Sequence, residues 1–515
     1  MKQMRRAWLA LALVLALPGT AFAAEATTPG GFLGAIDAVF ASIVGALEKL
    51  IFFDIGGMPL VVLWLLVGAI FFTLRMKFVN IRAFRHALDV VRGHYDDPDE
   101  PGEVSHFQAL AAALSATVGL GNIAGVAIAI QLGGPGAVLW MTIVGFLGMS
   151  SKFAECTLGQ MYRIVRQDGS ISGGPMYYLS RGLAEKGLRP LGRVLAGVFA
   201  VFCIGGAFGG GNMFQANQSF AGLAYAVPAV ENLSWLYGLI LALLTGLVII
   251  GGIRRIGAVA GFLIPSMCVI YFVAAVWILI TNFTAIPAAI ATIFRGAFSP
   301  EAAITGGFIG VLVQGVRRAA FDNEAGVGSA PIAHAAARTD EPIREGIVAL
   351  LEPFIDTIVV SNMTALVIVT TGVYANRGTG APDGIQMTFE AFSTGIPWFP
   401  VVLGLAVFLF AFSTIISWGY YGERAWAYLF GERTLKVYQV IYVIFVFIGA
   451  IVNLKSILDF GDMMILAMAF PNLLGCYLLS GKVATALDDY LTRLNTGIMM
   501  TYEASQAQKR EMQPK

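Results

Sequence analysis

Charge is scarce in this 515-residue chain, and so are the side chains that build metal centres and disulfides. Asp, Glu, Lys and Arg make up 13% of it, about half the share of a soluble domain, whereas 57% is hydrophobic. That balance excludes a water-soluble globule and identifies a polytopic membrane protein. The four cysteines (Cys156, Cys203, Cys268, Cys476) sit in apolar segments without ligand-like spacing, so they read as packing residues. The four histidines (His86, His94, His106, His334) have no metal-like company in the sequence. A net charge of +1 with no basic stripe argues against a nucleic-acid partner. His-Glu-x-x-His and Gly-x-Ser-x-Gly are both missing, which sets aside the commonest intramembrane hydrolase chemistries.

Residues 1–23 have the form of a cleavable signal peptide: Lys2, Arg5 and Arg6, an apolar stretch from Ala7 to Leu17, then Ala21-Phe22-Ala23. Residues 31–53 are expected to form an amphipathic helix on the periplasmic surface. A first span is expected at 59–76, followed by a basic cytoplasmic loop to 104. Ten more are expected at 105–131, 134–162, 194–224, 234–252, 256–281, 302–332, 342–372, 399–422, 437–454 and 459–481, making eleven. With the mature N-terminus outside and the 482–515 tail inside, the inner segments hold 23 of the 33 Lys and Arg and the outer segments four. That asymmetry fits the positive-inside rule and a bacterial inner membrane.

The most informative stretch is Ser115-Ala-Thr-Val-Gly-Leu-Gly-Asn-Ile-Ala-Gly-Val126. Gly119 and Gly121 beside β-branched Thr117 and Val118 make a continuous helix a poor local solution. Inside a membrane, broken backbone survives only where it is buried in protein or lines a cavity. Gly119-x-Gly121-x-x-Ala124 also fits a dinucleotide fingerprint, but the strand that this reading needs is not there. Asn122-Ile-Ala-Gly-Val-Ala-Ile-Ala129 recurs as Asn323-Glu-Ala-Gly-Val-Gly-Ser-Ala330, five spans later. An odd offset inverts the second copy. Two five-helix repeats, 105–281 and 302–481, each opening on a broken helix, are the pattern that marks a binding site in secondary transporters.

From about residue 52 to 490 the chain resembles the alanine or glycine:cation symporter (sodium:alanine symporter) family. The resemblance rests on Thr73-Leu-Arg-Met-Lys-Phe-Val-Asn-Ile-Arg82, Gly121-Asn-Ile-Ala-Gly-Val-Ala127, Gly133-Gly-Pro-Gly-Ala-Val138, Lys152-Phe-Ala-Glu155, Gly173-Gly-Pro-Met-Tyr-Tyr178, Gly211-Asn-Met-Phe-Gln-Ala-Asn217, Asn323-Glu-Ala-Gly326, Gly328-Ser-Ala-Pro331 and Tyr420-Tyr-Gly-Glu-Arg424. It implies an all-α, leucine-transporter-like 5+5 inverted repeat of the amino acid–polyamine–organocation superfamily, with one extra N-terminal span. It also implies sodium-coupled import of small neutral amino acids such as alanine and glycine, with Na+ as coupling ion, no further cofactor and the lipid bilayer as surroundings. The same fold driven by protons is the nearest rival. Two positions depart from the family pattern: Leu120 stands where threonine is usual, and Asp322 where serine is usual.

A zwitterionic substrate presents a carboxylate suited to a helix N-terminus and an ammonium suited to a helix C-terminus. Backbone N–H groups near Leu120, Gly121 and Asn122 are expected to seat the carboxylate, and carbonyls near Phe321 and Asp322 to face the ammonium. By carry-over, Asn122, Gln215 and Trp418 line the pocket, with Trp418 limiting side-chain volume. Ser115, Val118, Ser413 and Thr414 are the expected sodium ligands; Ser and Thr that bond their own helix carbonyls are the structural alternative. Asn323 and Glu324 are expected to brace the second break or serve coupling. Lys152–Glu155 and Glu423–Arg424 read as structural ion pairs, and Asp322 has Arg317 and Arg318 as candidate partners. Glu352 and Asp356, one turn apart, are left without a role.

Overall fold

A computed structural model describes residues 49, 51–298, 307–376, 384–396, 398–451 and 454–511. The expected signal peptide and nearly all of the expected amphipathic helix lie outside these residues. The backbone is helical almost throughout, as it must be where no water competes for peptide groups. The helices are α1 (Leu60–Arg75), α2 (Phe84–Val91), α3 (His106–Thr117), α4 (Gly121–Gly133), α5 (Ala137–Met161), α6 (Arg189–Ala226), α7 (Ser234–Ile249), α8 (Gly252–Thr281), α9 (Ile286–Phe298) and α10 (Gly307–Asn323). They continue as α11 (Pro331–His334), α12 (Pro342–Thr371), α13 (Ile385–Gly395), α14 (Phe399–Phe430), α15 (Leu435–Gly449), α16 (Leu454–Asn495) and α17 (Tyr502–Glu511).

A helix falls on each of the eleven stretches expected to span. Seven are long and apolar enough by themselves, and the bent pair α3–α4 makes eight. The remainder are shorter: α1 has 16 residues, α10 has 17 and α15 has 15. Burial sorts them into an inner and an outer set. Of the most apolar stretch of α16, 78% is buried, against 28% and 33% for the stretches that include α7 and α8, so α16 is central and α7 and α8 form a rim. Leu243, Leu247, Phe262, Val273 and Trp277 on that rim are more than half exposed, which suits hydrocarbon as solvent.

The interior is organised by two interruptions. Helix α6 packs against α14 and α16, while α5 packs against α10 and α12. Ser105 starts α3 with a reciprocal cap: its hydroxyl accepts from Gln108 N–H at 3.2 Å and its own N–H donates to Gln108 Oε1 at 3.1 Å. The segment before that cap is zipped to the segment after α11. Glu103 N–H donates to the Ala336 carbonyl and Arg338 N–H to that of Val104, each at 2.8 Å. This zipper sets the start of α3 beside the end of α11.

Candidate functional site

The first break follows from its glycines. Val118 N–H still reaches the Leu114 carbonyl (2.7 Å), but Val118 turns out of the helix at ψ 87°, and α4 resumes at 47° to α3. Helix α4 opens with a wide turn in which Ala124 and Gly125 N–H both converge on the Leu120 carbonyl (2.8 and 3.0 Å). Side chains hold the gap. Gly119 N–H donates to Asn122 Oδ1 (2.9 Å) and Leu120 N–H to Gln215 Oε1 (3.2 Å). Gln215 Nε2 in turn donates to the Gly210 carbonyl (3.1 Å). Both ends of the Gln215 amide are thus engaged with protein in this conformation. Of the expected carboxylate seat, the Leu120 N–H is already used; Gly121 and Asn122 supply first-turn N–H groups that no intrahelical carbonyl can reach.

The second break begins at the end of α10. Glu324 takes a left-handed conformation (φ 56°), followed by Gly326 and Gly328 at φ 88° and 92°, before Pro331 starts α11. A non-glycine residue is strained there and must be held. Glu324 Oε1 accepts from Trp418 Nε1 (3.0 Å) and Oε2 from the Ser329 hydroxyl. Asn323 Oδ1 accepts from Ala325 N–H (2.9 Å), and its Nδ2 donates to Thr357 Oγ1 (2.8 Å). Trp418 comes this close because Gly211 faces it without a side chain; a Cβ there would overlap the indole.

Between the breaks lies a buried polar cluster. Asn122 Nδ2 donates to Asp356 Oδ1 (2.7 Å), the Asp356 carbonyl (3.2 Å) and Ser361 Oγ (3.0 Å). Asp322 Oδ2 accepts from Ser361 Oγ (2.5 Å) and Thr357 Oγ1 (3.3 Å), while Thr357 also reaches Asp356 Oδ2 (2.9 Å). Asp322 Oδ1 is buried with no hydrogen-bond partner and faces Gly121 so closely that a Cβ on that glycine would lie 2.8 Å away. A carboxylate oxygen therefore points at the start of α4, where helix dipole and free N–H groups favour negative charge. Asn122, Gln215, Asp322, Glu324 and Trp418 are all buried, so this conformation is closed around the breaks.

The other candidates fall as follows. Ser115 Oγ donates to the Ser413 carbonyl (2.7 Å), which joins α3 to α14; Ser413 Oγ turns back to the Phe410 carbonyl of its own helix (2.9 Å). Thr414 Oγ1 is buried without a hydrogen-bond partner beside Gly119, and Val118 is buried next to it in sequence. Phe321 packs edge-on against Phe214, with ring centroids 5.4 Å apart. Arg317 and Arg318 both pair with Asp462 on α16, not with Asp322, because α10 turns them toward that helix. Lys152 pairs with Glu352 at 2.9 Å and not with Glu155, whose carboxylate takes the Asn472 amide at 2.6 Å. Neighbours one turn apart on α5 therefore point to different partners. Glu423 and Arg424 do pair, at 2.7 Å.

Sequence reasoning missed the company that His106 and His334 keep. Both contact Glu345, and His334 also lies 3.5 Å from Glu352. A signal was available: Glu345, Glu352 and Asp356 are spaced by seven and four, which places three carboxylates on one face of α12. Among the described residues no His, Cys, Asp or Glu group is arranged to hold a metal ion, and the four cysteines are free.

A model of the sodium:alanine symporter family matches residues 38–504. The sodium/alanine symporter AgcS of Methanococcus maripaludis is 42% identical over 428 residues, covering 83% of this chain and 93% of that one. A putative sodium/proton-dependent alanine carrier protein of Bacillus subtilis, YrbD, is 34% identical over 454 residues, covering 85% and 91%. Among solved structures, MhsT in complex with L-phenylalanine superimposes with a TM-score of 0.52 at 16% identity, over 73% of this chain and 88% of that one. The fold is that of a transporter.

Proposed function

The chain belongs to the sodium:alanine symporter family and is a transporter, not an enzyme; from this premise we propose that it imports alanine, glycine and similar small neutral amino acids, driven by sodium and by alternating access. The observation that carries the reading is the meeting of the two breaks, with Gly121 facing Asp322 and Asn122 bonded to Asp356 and Ser361. The first-turn N–H groups of Gly121 and Asn122 seat the substrate carboxylate, and the α10 end at Phe321 and Asp322 receives the ammonium. In the closed conformation Asp322 Oδ1 lies against the carboxylate seat; on binding it turns to the ammonium, its natural partner. Sodium sits among the oxygens of Ser115, Val118, Ser413 and Thr414 as co-substrate.

Opening requires contacts between the broken helices and the α6–α14 side to exchange. Three such hydrogen bonds are Ser115 to Ser413, Leu120 to Gln215 and Trp418 to Glu324. One helix set rocks or gates against the other around the breaks at 116–122 and 320–325, within a core of two five-helix repeats at 105–281 and 302–481, with the extra span (59–104) outside it and the mature N-terminus periplasmic. Uptake of labelled alanine into proteoliposomes tests this: an imposed inward sodium gradient drives accumulation, and indifference to sodium refutes it. The proton-driven reading draws on the YrbD likeness and on the acid pair Asp322–Asp356. Acceleration of sodium-free uptake by an inward pH gradient favours that alternative. A competition panel of small amino acids repeated with Asp322→Ser reports whether this position sets selectivity.

A further inference from the structure

Apart from the two breaks, the protein holds a second buried line of ionisable side chains. It starts at Asp96, in the loop between α2 and α3, whose side chain is 35% exposed. Asp96 Oδ1 lies 3.8 Å from His106 Nε2, and His106 Nδ1 contacts Glu345 Oε2. The other oxygen of Glu345 contacts His334 Nδ1 at 2.5 Å, and His334 Nε2 lies 3.5 Å from Glu352 Oε2. The other oxygen of Glu352 meets Lys152 Nζ at 2.9 Å. From His106 to Lys152 every side chain in this line is fully buried. Acid and imidazole alternate: both histidines bond Glu345 through Nδ1, and each directs its Nε2 toward a second carboxylate, Asp96 for His106 and Glu352 for His334, across a gap longer than a hydrogen bond.

That alternation has a chemical meaning. An imidazole that gains a proton at one nitrogen can release one at the other, so a histidine bridging two acids passes a proton without moving far. Burying five ionisable groups for stability alone is a poor use of them. Membrane-depth ionisable chains of this composition mark proton paths. We propose that Asp96, His106, Glu345, His334, Glu352 and Lys152 form a proton relay that connects the solution at the α2–α3 loop with the acids around the second break. Each transfer moves one proton from donor to acceptor, with no bond to carbon formed or broken. Lys152 is followed one turn later on α5 by Glu155, whose carboxylate accepts from Asn472 Nδ2, and the same amide donates to the Gly326 carbonyl at 2.8 Å, so the relay ends beside the second break.

Other charged and titratable groups face this line. Glu100, Arg338 and Arg344 act on its loop end, and Arg163 acts on Glu345 while its guanidinium clasps the carbonyls of Pro101, Ala335, Ala337 and Thr339. Cys156 and Tyr421 lie within electrostatic range of Glu352. The carbonyl clasp of Arg163 fixes the α11 end that carries His334.

The proposal deepens the symport reading by giving it a proton-linked step, yet it is tested without transport. Purified full-length protein is subjected to a pH jump while buried carboxylic-acid bands are followed by time-resolved infrared difference spectroscopy; Glu324→Gln and Glu352→Gln identify which band belongs to which acid. The expected result is a band that follows bulk pH in the wild type and relaxes about tenfold or more slowly in His334→Gln. His106→Gln, nearer the surface, gives the same slowing and serves if His334→Gln does not fold. Equal relaxation in wild type and a folded relay variant overturns the relay, as does the absence of any buried band that responds to pH. Sodium-driven alanine uptake, measured separately on the wild type, decides the transport reading whichever way the infrared result falls.

Discussion

Substituting two glycines in the same turn, Gly121→Ala and Gly125→Ala, tests whether the breaks meet as the site requires. Both lie in the opening turn of α4 and both substitutions add one methyl group. A Cβ on Gly121 would lie 2.8 Å from Asp322 Oδ1 and 3.5 Å from Asp322 Cα, whereas a Cβ on Gly125 finds nothing within 4 Å. Non-bonded heavy atoms rest at about 3.5 Å or more, so Gly121→Ala must displace Asp322 or move α4. Asp322 is held by Ser361 at 2.5 Å and by Thr357, and the Cα cannot turn aside as a side chain can. Overpacking of this kind costs about 1–3 kcal/mol, which converts to a loss of alanine affinity of about fivefold to 150-fold. Gly125→Ala is expected to be neutral, or to stabilise the helix by up to about 1 kcal/mol. Sodium-dependent alanine binding to the purified variants measures both, and in an Asp322→Ser background the added methyl at Gly121 should cost less than in the wild type, because the obstructing oxygen is gone. Wild-type affinity in Gly121→Ala, or an equal loss in Gly125→Ala, refutes the facing of the two breaks.

Three further outcomes are expected. Lys152→Met strands Glu352 and lowers unfolding stability by about 3–5 kcal/mol, read as a drop in melting temperature; Lys152→Met with Glu352→Gln recovers a good part of it. Trp418→Phe removes the donor to Glu324 Oε1 and costs about 1.5–3 kcal/mol, with slower uptake but unchanged sodium dependence if the bond belongs to the opening step alone. Burial holds the pKa of the His86 imidazole at about 4, below its usual 6.5, where its Nε2 meets Tyr490 OH at 2.7 Å. The unfolded chain therefore takes up this proton first: stability is full above about 6.5, falls as pH drops through the window down to about 4, and His86→Gln flattens that slope in a pH series of melting curves.

Much of the architecture is legible in the linear chain because each helix in a membrane must satisfy its own backbone and show lipid an apolar face. Hydropathy located stretches that all carry helices, and glycine chemistry located the α3–α4 break. The repeated Asn-x-Ala-Gly-Val placed the second one. The expected site residues proved harder. Asn122 and Gln215 both lie at the first break, but nothing in their spacing tells that Gln215 spends its amide on Leu120 and Gly210. Lys152 and Glu155 look like a pair at helical spacing, yet α12 and α16 bring better partners to each.

The class of protein, the places where helices start and break, and the family are therefore written in the order of residues alone. They follow from local rules: apolar content, glycine and proline positions, and motifs read along one strand of chain. Which side chains meet is a property of the folded molecule. Asp322 reaches Gly121 across two repeats, and Arg317 and Arg318 reach Asp462. His106 and His334, 228 positions apart by their numbers, converge on one carboxylate at Glu345. Buried charges choose partners by three-dimensional proximity, since each must be neutralised where it lies, and that choice leaves almost no trace in sequence spacing.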